Sequence, residues 1–438
     1  MEQIAQSSED QLIDGLSFKL GNSASYITDR KSVTFWPSGS NIYKTSSGTK
    51  VIKFQLNSDG WCDPSTVRIM FNLVNNGDAV EKLRPLQGAY SFFRRLRVSA
   101  GGALLEDFDY NRTHQMFESL TSVHNRDNGD IEGFGYRSDS VAPDVAHTTS
   151  TLPGITGGSY QTVGFKLLSG VLNQPRMLPL KYMPLTIELE LVNDANDPVV
   201  TPGIDAVFTT ANTSNDWQIE NVQLKCDIVT LDNTLQNNYD SHLLSGKTLP
   251  INYNTYITQS QAVSGQDVSV NVSRAISRLK SIFVSFYKSP VTATAADKEW
   301  LNFMHPMTAS ANYNKGYELE TQIQIGSKLY PEYPLRSTSE AYAQLKKSVG
   351  ILGSNFHSMS ITPTQYRNEH FIIGCDTEKS IGASWTGLNT RSGDLLSIRV
   401  KAQDKSTLTS ALMPDTLHIV LHSDCICQIS DSGVQVFD

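Results

Sequence analysis

Apolar and polar residues alternate with a period of two along most of this chain, and this pattern constrains the fold more than any other feature. The clearest segments are VIKFQL (51–56), VRIMFNLV (67–74), TIELELV (186–192), VQLKCDIV (222–229) and LLSIRV (395–400). Successive side chains of a strand point to opposite faces of a sheet, so alternation indicates one buried and one solvated face. The sequence therefore predicts a mainly β fold of antiparallel sheets packed face to face.

Helical patterns are few and short. Apolar residues at helical spacing predict a helix at about 112–123 and another at 337–349. The second opens with a capping box, in which Ser337 is followed three residues later by Glu340. A third helix is predicted over 234–244, before a Ser-Gly pair that is typical of a helix C-terminus. A few short helices therefore accompany the strands.

The chain also contains an internal repeat. VSAGGALLEDFDYNRTHQMFESL (98–120) aligns without a gap on IQIGSKLYPEYPLRSTSEAYAQL (323–345). The identical positions are Gly101 and Gly326, Leu104 and Leu329, Thr113 and Thr338, and Leu120 and Leu345. Each copy has the pattern of a strand, a glycine turn, a strand and a short helix. We therefore predict two copies of one β-domain.

The repeat and the helical patterns divide the chain into four parts. We predict a first sandwich at 45–232, a linker helix at 233–250 and a second sandwich at 251–438. Residues 1–44 are predicted to form an N-terminal arm, because their Ser-, Asp- and Asn-rich sequence carries only isolated apolar residues such as Leu16 and Phe18. Such a segment is expected to order only when subunits assemble.

Composition excludes several classes of protein. The net charge is −8, which argues against nucleic-acid binding over a broad surface. No apolar run approaches the roughly 18–20 residues that span a bilayer, and the polar N-terminus MEQIAQSSEDQ does not resemble a signal peptide. The five cysteines (62, 226, 375, 425 and 427) show no disulfide spacing. We therefore expect folding in a reducing compartment, where the sequons at Asn111, Asn212 and Asn271 are chance matches.

The stretch 100–120 carries three acidic residues, Glu106, Asp107 and Asp109, that raise the question of an acid–base site. Neighbouring residues on a strand face opposite sides, so Glu106 and Asp107 are not expected to converge. The second copy has proline at the positions of Glu106 and Asp109. A role in the scaffold is therefore the favoured interpretation.

The segment HIVLHSDCIC (418–427) has the composition of a metal site. In a continuous strand, His418, His422 and Asp424 share one face, while Cys425 and Cys427 share the other, apolar face. Tetrahedral zinc requires four ligands on one side. We therefore expect the cysteines to lie in the core, and we predict no metal, no cofactor and no catalytic residue in this chain.

The run FFRRLR (92–97), with Lys82 and Arg84 nearby, could hold phosphate groups. Its counterpart in the second copy carries Glu318 and Glu320 instead. A solvated or inter-subunit face is favoured over nucleic-acid contact, since complementary charges align subunits. The chain has no nucleophile-elbow, phosphate-loop or complete dinucleotide motif, and GFGYRS (133–138) is interpreted as a loop.

Three stretches carry a resemblance to a known family. They are PLKYMPLTIELELVNDANDPV (179–199), NNYDSHLLSGKTLPI (237–251) and LHIVLHSDCICQISDSGVQVFD (417–438). With the tandem β-domains, they resemble the double jelly-roll major capsid proteins of DNA viruses, in the versions found in polinton/Maverick elements, adintoviruses and virophage-like elements. The resemblance covers most of the chain from about residue 45, and it consists of packing and strand patterns.

The resemblance implies a structural role. It implies a homotrimer that forms a pseudo-hexagonal capsomer, which tiles an icosahedral shell with neighbouring capsomers and with minor capsid or penton proteins. It implies a location in the virion and no small-molecule substrate. From the polar N-terminus we expect synthesis in the host cytoplasm or nucleus without secretion, and from the acidic net charge we expect no direct nucleic-acid contact. The chain is short for this lineage, so tower or inter-capsomer contacts are expected in the excursions 125–160 and 199–215.

Two other hypotheses remain beside this one. A carbohydrate-binding or glycoside-acting protein on tandem β-sandwiches would need an exposed aromatic platform and converging carboxylates. Its four candidate tryptophans, Trp61, Trp217, Trp300 and Trp385, are scattered in sequence. A single-jelly-roll coat protein of an RNA virus with an appended domain is disfavoured by the repeat.

Overall fold

The computed structural model describes most of the chain, and it confirms the mainly β fold of antiparallel sheets with few helices. The described residues are 26–46, 48–135, 153–202, 208–264, 267–287, 303, 305, 319–351, 359, 361, 366, 370–379, 386–391, 395–402 and 415–438. They form two sandwiches, each made of two sheets, joined through a helix.

The first sandwich is formed by strands β1 to β12. Their bounds are β1 Ile27–Phe35, β2 Ile42–Tyr43, β3 Val51–Leu56, β4 Trp61–Asn75, β5 Lys82–Leu83, β6 Phe93–Ala100, β7 Ala103–Asp109, β8 Ile155–Thr156, β9 Tyr160–Phe165, β10 Leu178–Pro179, β11 Leu185–Leu191 and β12 Trp217–Leu231. Sheet 1A has the order β1-β12-β4-β10, with β2 on β12 and β9 on β4. Sheet 1B has the order β3-β11-β6-β7, and β5 pairs with β8 apart from both.

The second sandwich repeats this topology. Its strands are β13 Leu249–Ala262, β14 Asp267–Val272, β15 Leu279–Tyr287, β16 Leu319–Ile325, β17 Lys328–Leu335, β18 Ile372–Asp376, β19 Leu396–Ala402, β20 Thr416–Ser430 and β21 Gly433–Phe437. Sheet 2A has the order β13-β20-β15-β18, with β21 on β20, and sheet 2B has the order β14-β19-β16-β17. Each sheet therefore has a counterpart with its strands in the same order along the chain.

The helices lie between the strands. Their bounds are α1 Tyr110–Ser119, α2 Val123–Glu132, α3 Gly170–Asn173, α4 Asn233–Leu244 and α5 Thr338–Ser348, with a 3-10 helix at Ala89–Phe92. The N–H of Glu340 donates to Ser337 Oγ at 3.1 Å, and the Glu340 carboxylate accepts from the N–H of Arg336 at 2.7 Å. The predicted cap of α5 is thus confirmed, with the carboxylate reaching one residue further back than predicted. None of the described helices is long and apolar enough to cross a membrane.

The internal repeat is confirmed in three dimensions. Strands β6 and β7 with α1 form the first copy, and β16 and β17 with α5 form the second. The aligned glycines at the two hairpin turns, Gly101 and Gly326, have φ of 53° and 60°, the left-handed region that favours glycine. The duplicated unit is therefore one supersecondary structure placed at the same point of both sandwiches.

Strand β1 lies within residues 1–44, the range predicted as an N-terminal arm, and it forms the edge of sheet 1A. It pairs with β12 from Ile27 opposite Leu231 to Phe35 opposite Leu224. None of its side chains is buried, so the segment lacks the alternation that marks most other strands. This part of the predicted arm is therefore a strand of the first sandwich. Residues 1–25 lie outside the described residues.

The two cores exchange residues. The first core consists of buried residues from sheets 1A and 1B, and the ends of two strands of the second sandwich complete it. These ends contribute Ile251 and Tyr253 from β13 and Cys425, Cys427 and Ile429 from β20. In return, Met116 of α1 belongs to the second core. The contact of β7, α1 and α3 with β13, β15 and β20, which we call the joint, is therefore continuous with both cores.

Candidate functional site at the joint between the sandwiches

Two of the three acids in the stretch 100–120, Glu106 and Asp107, point to opposite sides of β7, as predicted. Asp107 faces outward and accepts a hydrogen bond from Arg95 Nε at 2.6 Å. Glu106 is 2% exposed and points into the joint. The two carboxyl groups therefore do not form an acid–base pair.

Glu106 is a buried carboxyl group held by hydrogen-bond donors. It accepts from the hydroxyl of Ser169, and from the N–H of Gly170 at 2.7 Å. Burial raises its pKa to about 7, against the opposing effect of these donors and of Thr255 on β13. Gly170 lies so close to β13 that a Cβ there would be 1.4 Å from the carbonyl oxygen of Asn254. The site of Glu106 is therefore closed by backbone packing across the joint.

His418 on β20 is buried against the same stretch, through Thr113. Thr113 Oγ1 donates to the carbonyl of Asp109 at 2.6 Å and lies 3.3 Å from His418 Nε2. The single hydroxyl proton is thus already used, so Nε2 carries the ring proton and donates to Thr113. Nδ1 lies 2.9 Å from Ser260 Oγ, which is also 3.4 Å from Asp109 Oδ2. Burial, with Arg112 nearby, lowers the pKa of His418 to about 3, so the ring is neutral.

An ion pair holds helix α1 on the first sandwich, and aromatic contacts hold it on the second. Arg112 Nη2 lies 2.7 Å from Asp197 Oδ1, and its guanidinium sits 4.8 Å from the ring centroid of Tyr287. One helical turn further on, the Phe117 ring lies 4.9 Å from Tyr256 and 5.3 Å from Phe283. The helix belongs to the first sandwich in sequence, but it packs on the outer face of sheet 2A.

The side chains of the segment 418–427 lie on two different faces of β20, as the parity of a strand predicts. His422 stacks on Tyr256 at 5.3 Å, and burial next to Lys280 lowers its pKa to about 4. Cys425 and Cys427 lie in the first core, 2% and 1% exposed, which confirms their predicted location. Within the described residues, no three His, Cys, Asp or Glu side chains are placed to hold a metal ion.

The cations of the run 92–97 are paired across sheet 1B. Arg94 lies 2.6 Å from Glu190, and Arg97 lies 3.8 Å from Glu188, which is also 3.1 Å from Lys53 of β3. With Arg95 on Asp107, they form a ladder of alternating charges on the outer face. Arg84 is 1% exposed and donates to the carbonyl of Asn212 at 3.1 Å. The run is therefore a solvated, ion-paired face, and Arg84 is not part of it.

The remaining candidates lie apart from the joint or inside the scaffold. Trp61 and Trp217 are 9% and 2% exposed and form no open platform. Trp300, Trp385 and residues 136–138 of the predicted loop lie outside the described residues. Among the sequons, Asn111 is buried in α1, Asn212 is half-buried and Asn271 is exposed on β14. The excursion 125–160 begins within α2, and its residues 136–152 lie outside the described part of the chain. In the excursion 199–215, residues 203–207 lie outside the described part.

Several residues of the joint had no predicted role, among them Ser169, Ser260 and Asp197. Their partners are distant in sequence: 63 residues separate Ser169 from Glu106, and 85 separate Asp197 from Arg112. Only Arg112 carried a local signal, as a cation at the start of an otherwise apolar helical stripe. The joint thus unites two segments, 100–120 and 418–427, that seemed to be separate candidate sites.

Comparison with known proteins finds this architecture among solved structures but not among proteins of similar sequence. No protein-family model matches the sequence, and no curated protein matches it. Solved structures do match. PBCV-1 VP54, as fitted into a reconstruction of the virophage Sputnik, is 12% identical with a TM-score of 0.62, over 96% of this chain and 99% of that chain.

Two further structures agree over almost the whole chain. The structure of the Sputnik virophage is 9% identical with a TM-score of 0.59, over 97% of this chain and 91% of that chain. The Faustovirus major capsid protein is 9% identical with a TM-score of 0.57, over 95% and 92%. The chain therefore has the double jelly-roll fold of these viral capsid proteins.

Proposed function

We propose that this protein is the major capsid subunit of a DNA virus, a structural protein without enzymatic activity. The fold carries the proposal, because both jelly rolls and the helix between them match capsid proteins over at least 91% of each chain. In its finer form, the proposal is a homotrimeric, pseudo-hexagonal capsomer that tiles an icosahedral shell. The domains are the first jelly roll, the linker helix and the second jelly roll, with the residues before β1 as an arm.

The internal repeat supports self-assembly, because the joint is made only once within a chain. Phe108 of β7 is 2% exposed and packs 5.6 Å from Tyr256 across the joint. Its counterpart Tyr333 of β17 is 78% exposed. Helix α1 is buried along most of its length, whereas α5 buries only Ala341 and Leu345. The second sandwich thus presents the surface that the first one uses inside the joint.

The surface of the first sandwich that would contact β17 and α5 of another copy is also exposed. Strand β13 buries Ile251, Tyr253 and Thr255 in the joint, whereas its counterpart β1 buries no side chain. A second copy can therefore place its β17 and α5 against β1 and sheet 1A. Such a head-to-tail contact closes into a ring when the rotation divides a full turn. Three copies with two jelly rolls each would give a ring of six similar units.

The charge distribution argues against direct contact with nucleic acid. With a net charge of −8 and the cations of residues 94–97 paired, the chain offers little for direct contact with nucleic acid. Its partners would be other copies, neighbouring capsomers and minor capsid or penton proteins. We place it in the virion, after synthesis in the host cytoplasm or nucleus without secretion.

The mass of the purified chain in solution tests this proposal. We expect about three times the chain mass of 48.4 kDa, and a hexagonal outline in electron micrographs. Tyr333→Glu should convert the trimer to monomers, because it places a charge in the contact. Val80→Glu, at a residue between β4 and β5 that is 72% exposed, is the control and should stay trimeric. A wild-type monomer that binds or cleaves oligosaccharides would contradict the capsid role.

A further inference from the structure

An apolar groove lies between helix α4 and the end of the first sandwich. Its volume is about 410 Å³, within the range of about 300–1,000 Å³ that ligand pockets occupy. Trp61, Leu235 and Tyr239 line one side, and Met177, Ile251 and Ile429 line another. The Trp61 and Tyr239 rings pack at 4.8 Å and hold this wall in place. The lining is mostly apolar, and Ile251 and Ile429 in it belong to the first core.

The chain itself leads to the rim of this groove. Leu231 lines it and pairs with Ile27, the first residue of β1. The next amide along, Asp232 N–H, donates to the carbonyl of Tyr26 at 2.7 Å. The 25 residues before Tyr26, which lie outside the described part, therefore start beside the groove. An extended chain spans about 3.3–3.6 Å per residue, so even a few residues suffice to reach it.

The sequence of this segment matches the groove in chemistry. Leu16, Phe18 and Leu20 alternate with Ser17 and Lys19. In an extended chain, this spacing puts three apolar side chains on one side and the polar ones on the other. We propose that residues 16–20 bind in the groove of their own chain, through Leu16, Phe18 and Leu20.

Attachment to the same chain favours this occupant over a second copy. A tethered segment has an effective concentration in the millimolar range, and it loses little translational freedom on binding. The proposal does not depend on the capsid role, since it concerns a contact within one chain. A trimer without this contact, or this contact in a monomer, would separate the two proposals.

Photo-crosslinking of the full-length protein tests the inference. With p-benzoylphenylalanine in place of Phe18, we expect crosslinks within one chain to peptides that contain Met177, Leu235 or Tyr239. The chain should keep its single-chain mass on a denaturing gel. The same photo-crosslinker at Tyr160, which is exposed on β9, is the control and should give no crosslink to these peptides.

A groove variant completes the test. Leu235→Arg, at a half-buried position of α4, should lower the crosslink yield from position 18 by at least about tenfold, which corresponds to about 1.4 kcal/mol of binding. Its thermal transition should stay close to that of the wild type, and Tyr239→Arg serves if Leu235→Arg does not fold. Crosslinks that join two chains, or a yield no higher than at Tyr160, would overturn the proposal.

Discussion

Sheets 1A and 2A have the same strand order and equally apolar inner faces, yet their outer faces differ in chemistry. On sheet 2A, Phe283 lies opposite Val420, and Phe117 of α1 covers Phe283. On sheet 1A, the same region carries ion pairs, in which Arg30 contacts Asp63 at 2.9 Å and Asp227 at 2.8 Å. The inner faces agree because both must fill a core. The outer faces differ because α1 covers only one of them.

The two copies of the repeated unit show the same contrast. β7 and α1 lie inside the joint, whereas β17 and α5 are open. The positions that hold Glu106 and Phe108 in the first copy hold Pro331 and the exposed Tyr333 in the second. The residue types that differ between the two copies therefore reflect their surroundings: one copy packs against the other sandwich, and the other copy faces solvent. Substitutions at matched positions should have large effects at the joint and small ones at its open counterpart.

The largest effect is expected at Gly170, where α3 meets β13. A Cβ at this position would overlap the carbonyl oxygen of Asn254, and both atoms belong to the backbone or its first carbon. Gly170→Ala should therefore lower the free energy of unfolding by at least about 4 kcal/mol, measured by denaturant titration. Gly48→Ala is the control, because no atom lies within 4 Å of a Cβ there. A loss below about 1 kcal/mol at Gly170 would show that the joint can open.

The next effect compares two aligned aromatics directly. Phe108→Ala removes a ring that is 2% exposed, and it should cost about 3–5 kcal/mol of stability in the isolated subunit. Tyr333→Ala removes a ring that is 78% exposed, and it should change the stability by no more than about 0.5 kcal/mol. Chemical denaturation of the unassembled protein would measure both changes in the free energy of unfolding. Equal losses at the two positions would mean that the copies are not in different environments.

Titration of Glu106 gives a smaller, pH-dependent effect that the second copy lacks. Its pKa is raised from an ordinary 4.5 to about 7, so the native state prefers the protonated carboxyl. The stabilisation that the protonated Glu106 carboxyl gives the native state is fully present below pH 4.5, and it is lost as the pH rises through 7. The loss amounts to about 3 kcal/mol. Glu106→Gln should remove this dependence, so the stability of the variant relative to wild type should rise by that amount between pH 5 and pH 8.

The comparison with Glu106→Gln is needed because other groups titrate in the opposite direction. The lowered pKa values of His418 and His422 make the native state less stable as the pH falls below 6.5. Both histidines remain in the variant, so their effect cancels in the difference. A flat difference for Glu106→Gln would mean that its carboxyl is solvated.

The smallest effect is expected in the charged ladder of sheet 1B. Glu188→Gln breaks the pairs with Lys53 and Arg97, and it should cost less than about 1 kcal/mol because these groups are solvated. Glu320→Gln, which breaks a 3.5 Å pair with Arg336 on the second sandwich, should cost no more. Both losses should shrink in about 1 M salt, where the screening length is about 3 Å. A larger loss at Glu188 alone would assign the ladder a specific role.

The repeated framework could be predicted because its signals are local. Gly101 and Gly326 are needed for the turn conformation that both hairpins adopt, and Ser337 caps α5 through a neighbour three residues away. Alternation marked strands such as β3, β11 and β12 because one face of each is buried. Strand β1 was missed because only Val33 and Phe35 of this edge strand pack on the core, which leaves too short a period in the sequence.

The chemistry of the joint could not be predicted from local patterns. The hydrogen bond between Thr113 and His418 joins residues that are 305 positions apart. The parity of β20 correctly placed Cys425 and Cys427 in a core, but no pattern indicates that this core belongs to the first sandwich. Parity determines the face of a strand on which a side chain lies. It carries no information about the element that packs there.

The exchange between the two cores has a consequence for synthesis. A ribosome that has released residues up to Leu244 has made every described strand of sheets 1A and 1B, but Ile251, Cys427 and Ile429 of their core are still missing. The first jelly roll thus cannot complete its core until synthesis has passed Ile429. Until then its unfilled end exposes apolar surface, which makes such intermediates prone to aggregation. The order of translation therefore delays a complete first jelly roll until its partner has also been made.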